Sequence, residues 1–131
     1  MEIINKYIFK KIVNLKSVSD SNIDFLPVLN KKFYFENFYR DYKKILQDKS
    51  IDVVLILTSM SVHSKIAKEA LLSGKHVLVE KPMATNMKEL NELMKIAKSS
   101  KKMLIPAPFV ILSPTYQARD QELKKNNIGK V

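Results

Sequence analysis

A regular alternation of short apolar runs with amphipathic stretches constrains this chain more than any other feature. The run Ile51-Asp52-Val53-Val54-Leu55-Ile56-Leu57 is rich in β-branched and leucine residues and is bounded by Lys49-Ser50 and Thr58-Ser59. It reads as a parallel strand covered by helices on both faces. A helix over residues 62–73 follows, with Ile66, Ala67, Ala70 and Leu71 on one face and Gly74 where a left-handed cap is wanted. His76 to Val79 is the next strand, and Asn86 with Glu89 three residues later resembles a capping arrangement for a helix to about Ser99. That helix turns Leu90, Leu93, Met94 and Ala97 to the sheet. Met103 to Ile105 is a further strand, and Pro114 suits the first position of a last helix that runs to Lys125.

The first third of the chain is harder to read. Residues 1–11 carry apolar groups at helical spacing (Ile3, Ile4, Ile8), and residues 12–19 read as a strand ending at Asp20. A short helix is expected near Asn22 to Leu29, limited by Pro27, then a strand at Phe33-Tyr34-Phe35 and a helix over 41–47. Strand and helix in alternation, with no hairpin signal, call for an α/β fold with a parallel sheet and right-handed crossovers.

In such a sheet, ligands sit outside the carboxyl ends of the strands. Glu80-Lys81-Pro82 follows the strand at 76–79, so Lys81 is a candidate for function. A lysine there can act as a general acid or stabilise a developing alkoxide; taken alone, it also suits a surface turn. Asp20 closes its strand in the same way, and its alternative role is to cap the Ser-Asp-Ser-Asn turn. His63, near the start of a helix, is either a site residue or a structural one.

Composition narrows the classes. Zero cysteines exclude disulfides and thiolate chemistry, and no metal-ligand cluster, Ser-His-Asp set or Walker loop is present. The net charge of +10 comes from lysine pairs spread along the chain, such as Lys10-Lys11, Lys43-Lys44 and Lys124-Lys125, without glycine-aromatic interleaving. Solvated helix faces explain them better than nucleic-acid binding does. No apolar stretch approaches the roughly 20 residues of a membrane span, and no signal-peptide core is evident, so no membrane role is expected and the cytoplasm is the expected location.

The run Gly74-Lys75-His76-Val77-Leu78-Val79-Glu80-Lys81-Pro82, the upstream Ile51 to Thr58, and His63 followed by Ala67 together carry a resemblance. The chain resembles the nucleotide-binding domain of the glucose-fructose oxidoreductase/inositol dehydrogenase (Gfo/Idh/MocA) family over about residues 12–131. The resemblance implies a Rossmann-type parallel sheet with flanking helices, and an oxidoreductase that moves a hydride between NAD or NADP and a hydroxyl of a sugar or polyol. It implies Lys81 as the catalytic lysine beside the nicotinamide, with Glu80 to orient it, Pro82 to fix the turn through a possible cis bond, and Thr58 and His63 near the same end of the cofactor. It implies Asp20 as an acceptor for the adenosine ribose, which favours NAD over NADP because a carboxylate repels a 2'-phosphate.

Departures from the family matter as much. The family opens with a strand and a glycine-rich phosphate loop, whereas this chain has two glycines, Gly74 and Gly129, and no G-x-G-x-x-G. Ser59-Met60 stands where a Pro-Asn pair is common, and Pro108 to Leu112 is apolar where many relatives place an arginine or asparagine. The resemblance divides the chain into a partial NAD(P)-binding domain over 1–108 and a connector helix over 109–131 toward a substrate domain that 131 residues do not contain. The expectation is a piece of a longer enzyme or a truncated relic. The alternative is a non-catalytic Rossmann protein that acts by pairing with itself or with a full-length relative through exposed sheet edges.

Overall fold

The computed structural model describes residues 13–33, 35–107, 113–125 and Asn127; the expected helix over 1–11 and the apolar run Pro108 to Leu112 lie outside them. The elements run β1 (Ser17–Ser19), α1 (Leu26–Lys32), β2 (Asn37–Tyr39), α2 (Lys43–Gln47), β3 (Val53–Ile56), α3 (His63–Leu72), β4 (His76–Val79), α4 (Met87–Ser100), β5 (Leu104–Pro106) and α5 (Pro114–Lys124). Short 3₁₀ turns at Ile23–Phe25 and Met60–Val62 lead into α1 and α3. Among the described residues every strand pairing is parallel. The alternation in the sequence therefore becomes the expected α/β architecture, with the strands in two sheets, β1-β2 and β3-β4-β5.

The core follows from the register. Val54 pairs Val77, which pairs Leu104, and Ile56 pairs Val79, so one face of the larger sheet is a continuous apolar surface. Against it pack Ile66, Ala67, Ala70 and Leu71 from α3 and Leu93 from α4, all buried. The small alanines at 67 and 70 let α3 lie close to the sheet, and both are fully buried. Met94, expected in the same face of α4, is instead 56% exposed, because the inward stripe runs through Leu93, Ile96 and Ala97.

Three expectations are corrected. The third strand lies at Asn37–Tyr39 rather than at Phe33 to Phe35. Phe33 caps α1 through its N–H to the Leu29 carbonyl, and the Phe35 N–H donates to the Asn30 side chain, so their backbone donors serve the helix end instead of a ladder. Pro27 does not limit a helix from Asn22; the helix begins at Leu26 and takes Pro27 into its first turn, where a missing N–H costs nothing. Among the described residues, helices cover one face of β3 only: Ile56 is buried, while Val53 and Leu55 on the opposite face are 56% and 53% exposed.

Helix ends are set by local chemistry. Gly74, at φ 76°, closes α3, and Lys101 takes a left-handed conformation, φ 54°, to close α4. The Asn86 side chain accepts from the Glu89 N–H at 3.0 Å, and the Glu89 carboxylate accepts in return from the Thr85 N–H and hydroxyl. At the amino end of β3, Lys75 is buried and its ammonium donates to the Asp48 carbonyl at 2.5 Å. No described helix is long and apolar enough to cross a membrane.

Candidate functional site

Parallel strands put their carboxyl ends on one side of the sheet, and the turns that leave those ends bring separate parts of the sequence together. Thr58 follows β3, Glu80-Lys81-Pro82 follows β4, and Ala107 follows β5. The ladder holds these exits level. The Glu80 N–H donates to the Ile56 carbonyl at 2.9 Å, and the Ala107 N–H donates to the Val79 carbonyl at 2.8 Å.

Lys81 projects into solvent from this edge, its side chain 69% exposed, with its ammonium 3.6 Å from the Glu80 carboxylate. Such a pair in water contributes little to stability, so its value lies in where it places a positive charge. The Lys81–Pro82 peptide bond is cis. Beyond Pro82, a shallow groove of about 390 Å³ runs along Met83, Met87 and Leu90, giving the lysine turn an apolar neighbour.

His63 sits beneath these turns. It is 1% exposed, with Nδ1 2.8 Å from the Pro82 carbonyl oxygen and Nε2 2.9 Å from the Thr58 carbonyl oxygen. The imidazole thus lies between the turn after β3 and the turn after β4, where its N–H donates to one of the two backbone carbonyls. Its contribution to a ligand runs through the position of Thr58 and Lys81. Next to it, the Ser64 hydroxyl, followed by the Thr85 N–H, holds the Glu89 carboxyl below the usual carboxylate range, which ties the start of α3 to the start of α4.

Asp20 stands at the carboxyl end of β1, where its N–H donates to the Tyr39 carbonyl at 3.1 Å. Its carboxylate accepts from the Asn22 N–H at 2.8 Å, an Asx turn of the kind the Ser-Asp-Ser-Asn sequence suggests. A carboxylate has several acceptor sites, so this turn fixes the side chain and leaves acceptor capacity for a ribose hydroxyl. Thr58 is exposed, and its hydroxyl meets the Ser59 carbonyl at 3.5 Å. The structure therefore brings Thr58, His63, Glu80, Lys81 and Pro82 into one constellation at the ends of β3 and β4, with Asp20 on the other sheet. Among the described residues, no group of three or more His, Cys, Asp or Glu side chains is placed to hold a metal. What sequence reasoning missed is the double contact of His63, which depends on a carbonyl nineteen residues away.

Comparison with known proteins bears on the family and the fold. The model of the oxidoreductase family with an NAD-binding Rossmann fold matches residues 4–107. Myo-inositol 2-dehydrogenase of Thermotoga maritima is 24% identical over 116 residues, which cover 88% of this chain and 35% of that protein. The crystal structure of myo-inositol 2-dehydrogenase from Lactobacillus plantarum superposes with a TM-score of 0.87 at 21% identity, over 99% of this chain and 38% of that one. Levoglucosan dehydrogenase, solved in complex with NADH and levoglucosan, superposes with a TM-score of 0.78 at 27% identity, over 88% and 31%. The chain spans about a third of the length of these relatives. A parallel α/β sheet with its candidate residues at the carboxyl edge and a family match over most of its length place this chain in the Gfo/Idh/MocA family of NAD-binding oxidoreductases.

Proposed function

We propose that this chain contributes the nicotinamide end of the cofactor site in an NAD(P)-dependent oxidoreductase acting on a hydroxyl of a sugar, polyol or related small molecule. The observation that carries the reading is the exposed Lys81 in the turn at the carboxyl end of β4, with buried His63 packed between that turn and the end of β3. Bound nicotinamide would supply the hydride chemistry. The chain's own residues supply the rest: Lys81 presents a cation to the substrate oxygen as charge develops there, and Glu80 orients it. Thr58 lines the same end, and Pro82 with His63 fixes the turn. Asp20 would accept from a ribose hydroxyl, which favours NAD over NADP. Levoglucosan dehydrogenase, with its bound NADH and sugar-derived ligand, makes this substrate class the one to test first.

Residues 109–131 fit a connector toward a substrate-binding unit, so full turnover requires more than the part described by this sheet. A second reading, a non-catalytic Rossmann protein that acts through pairing, is supported by the half-exposed Val53 and Leu55 of β3. Titration with NADH, followed by its fluorescence, separates the two. The cofactor reading expects saturable binding that weakens on Asp20→Ala, and oxidation of inositol or levoglucosan that falls on Lys81→Ala; absence of NADH binding by a folded chain would overturn it.

A further inference from the structure

β1 and β2 end side by side, and the last hydrogen bond between them fixes which residues meet there. In the ladder Ser17 pairs Asn37, Val18 pairs Phe38 and Ser19 pairs Tyr39. The Asp20 N–H then donates to the Tyr39 carbonyl at 3.1 Å, the bond a parallel ladder makes when Asp20 stands opposite Arg40. Neighbouring strands lie about 4.8 Å apart, so these two residues start within one strand spacing of each other. A carboxylate and a guanidinium so placed are candidates for an ion pair. Among the described residues, however, Arg40 joins no ion pair. The Asp20 carboxylate accepts from the Asn22 N–H at 2.8 Å instead, and the Asp41 carboxylate accepts from the Lys43 N–H at 2.9 Å. Arg40 itself is exposed.

The Arg40 guanidinium therefore keeps its planar fork of N–H donors for an outside anion, and that fork matches two oxygens of a phosphate. Its surroundings favour such a guest. The segment Arg40-Asp41-Tyr42-Lys43-Lys44 carries three cations against one carboxylate, so this corner stays positive with Asp20 counted. An acidic residue at this strand end serves a ribose hydroxyl and repels a phosphate on the same ribose; an arginine beside it offsets that repulsion. We propose that Arg40 holds the 2'-phosphate of NADP while Asp20 accepts from the neighbouring ribose 3'-hydroxyl, so that the chain takes both dinucleotides. The inference rests on the cofactor reading and replaces the preference for NAD that Asp20 alone implies.

NADH and NADPH differ only in that phosphate, so the two together isolate it. Fluorescence titration of the 131-residue protein with each is the first readout. The expected result is that NADPH binds at least as tightly as NADH, and that Arg40→Ala weakens NADPH about tenfold more than it weakens NADH. Arg40→Lys should recover part of the loss, because it keeps the charge and gives up the fork. NADPH affinity should also fall more steeply with added salt than NADH affinity.

Adenosine 2',5'-bisphosphate is the second probe, with adenosine 5'-monophosphate as its control. The bisphosphate should move the amide resonances of Asp20, Ser21 and Arg40 further than the monophosphate does, and Arg40→Ala should abolish the difference. Equal shifts from the two nucleotides, NADH binding with NADPH excluded, or equal losses of both dinucleotides in Arg40→Ala would overturn the role of Arg40 and leave the cofactor reading standing. Failure of both dinucleotides to bind the folded chain would overturn the cofactor reading, and the 2'-phosphate site with it.

Discussion

Removing the His63 ring tests whether the turns after β3 and β4 are held from below. The ring nitrogens lie 2.9 and 2.8 Å from the Thr58 and Pro82 carbonyl oxygens, and a neutral imidazole carries one N–H, so His63→Ala removes one donated bond. That loss costs about 1 kcal/mol. The ring is 1% exposed, and the void it leaves adds about 1–2 kcal/mol. The sum is about 2–3 kcal/mol. For a chain of this size 1 kcal/mol moves Tm by roughly 3–5 °C, so the midpoint should fall by about 6–15 °C.

His63→Gln separates hydrogen bonding from packing. Its amide keeps one donor and most of the side-chain volume, so about half the loss should return. Thermal unfolding by circular dichroism gives the midpoints, and amide exchange in the segments around Thr58 and Met83 shows whether the loss is local to the turns. A fall of less than about 3 °C in His63→Ala, or equal falls in both variants with no change in exchange at the turns, would refute the argument.

Three further outcomes follow from single features. Gly74→Ala should destabilise by about 1–2 kcal/mol, since the space around an added Cβ is open and the whole cost is the left-handed backbone; chemical denaturation measures it. Lys101→Gly should stabilise by up to about 1 kcal/mol, because Lys101 holds φ 54° at the end of α4 where glycine carries no penalty; the same assay with an unchanged m-value checks it. The Asp48 carboxyl is held down to about 2 from an ordinary 3.8, chiefly by the Ser50 hydroxyl and N–H, with Lys16 adding to the effect. A depressed carboxyl stabilises the fold above its unfolded value, and that contribution disappears as pH falls from 3.8 toward about 2; Asp48→Asn should flatten Tm against pH in that window.

Where the fold was legible in the sequence, one physical signal dominated. The strand at His76–Val79 and the helices α3 and α4 were read to within a residue or so, because a buried stripe at helical spacing, a capping Asn86 and a terminal Gly74 all agree. The segment around Phe33 misled because aromatic residues suit strands and cores equally. Rings at 33, 35 and 38 pack on one another at 6.2 to 6.3 Å, with only Phe38 in a strand. The Asx turn at Asp20 and the lysine turn after β4 were legible as local chemistry. His63 was placed correctly along the chain, yet its partners are set by tertiary structure, which no local pattern encodes.

The distribution of these features bears on how the site works. Everything on the β3–β4 side is fixed by structure within residues 53–107: the ladder levels the turns, His63 joins them, and the Asn86–Glu89 cap anchors the helix that follows Pro82. Asp20 belongs to the other sheet, at the carboxyl end of β1, and Lys16 ties that strand to Ser50 and Asp48 at the opposite, amino end. Lys81 is therefore carried on a preorganised turn, and a ligand that meets it does not have to order the β3–β4 side first.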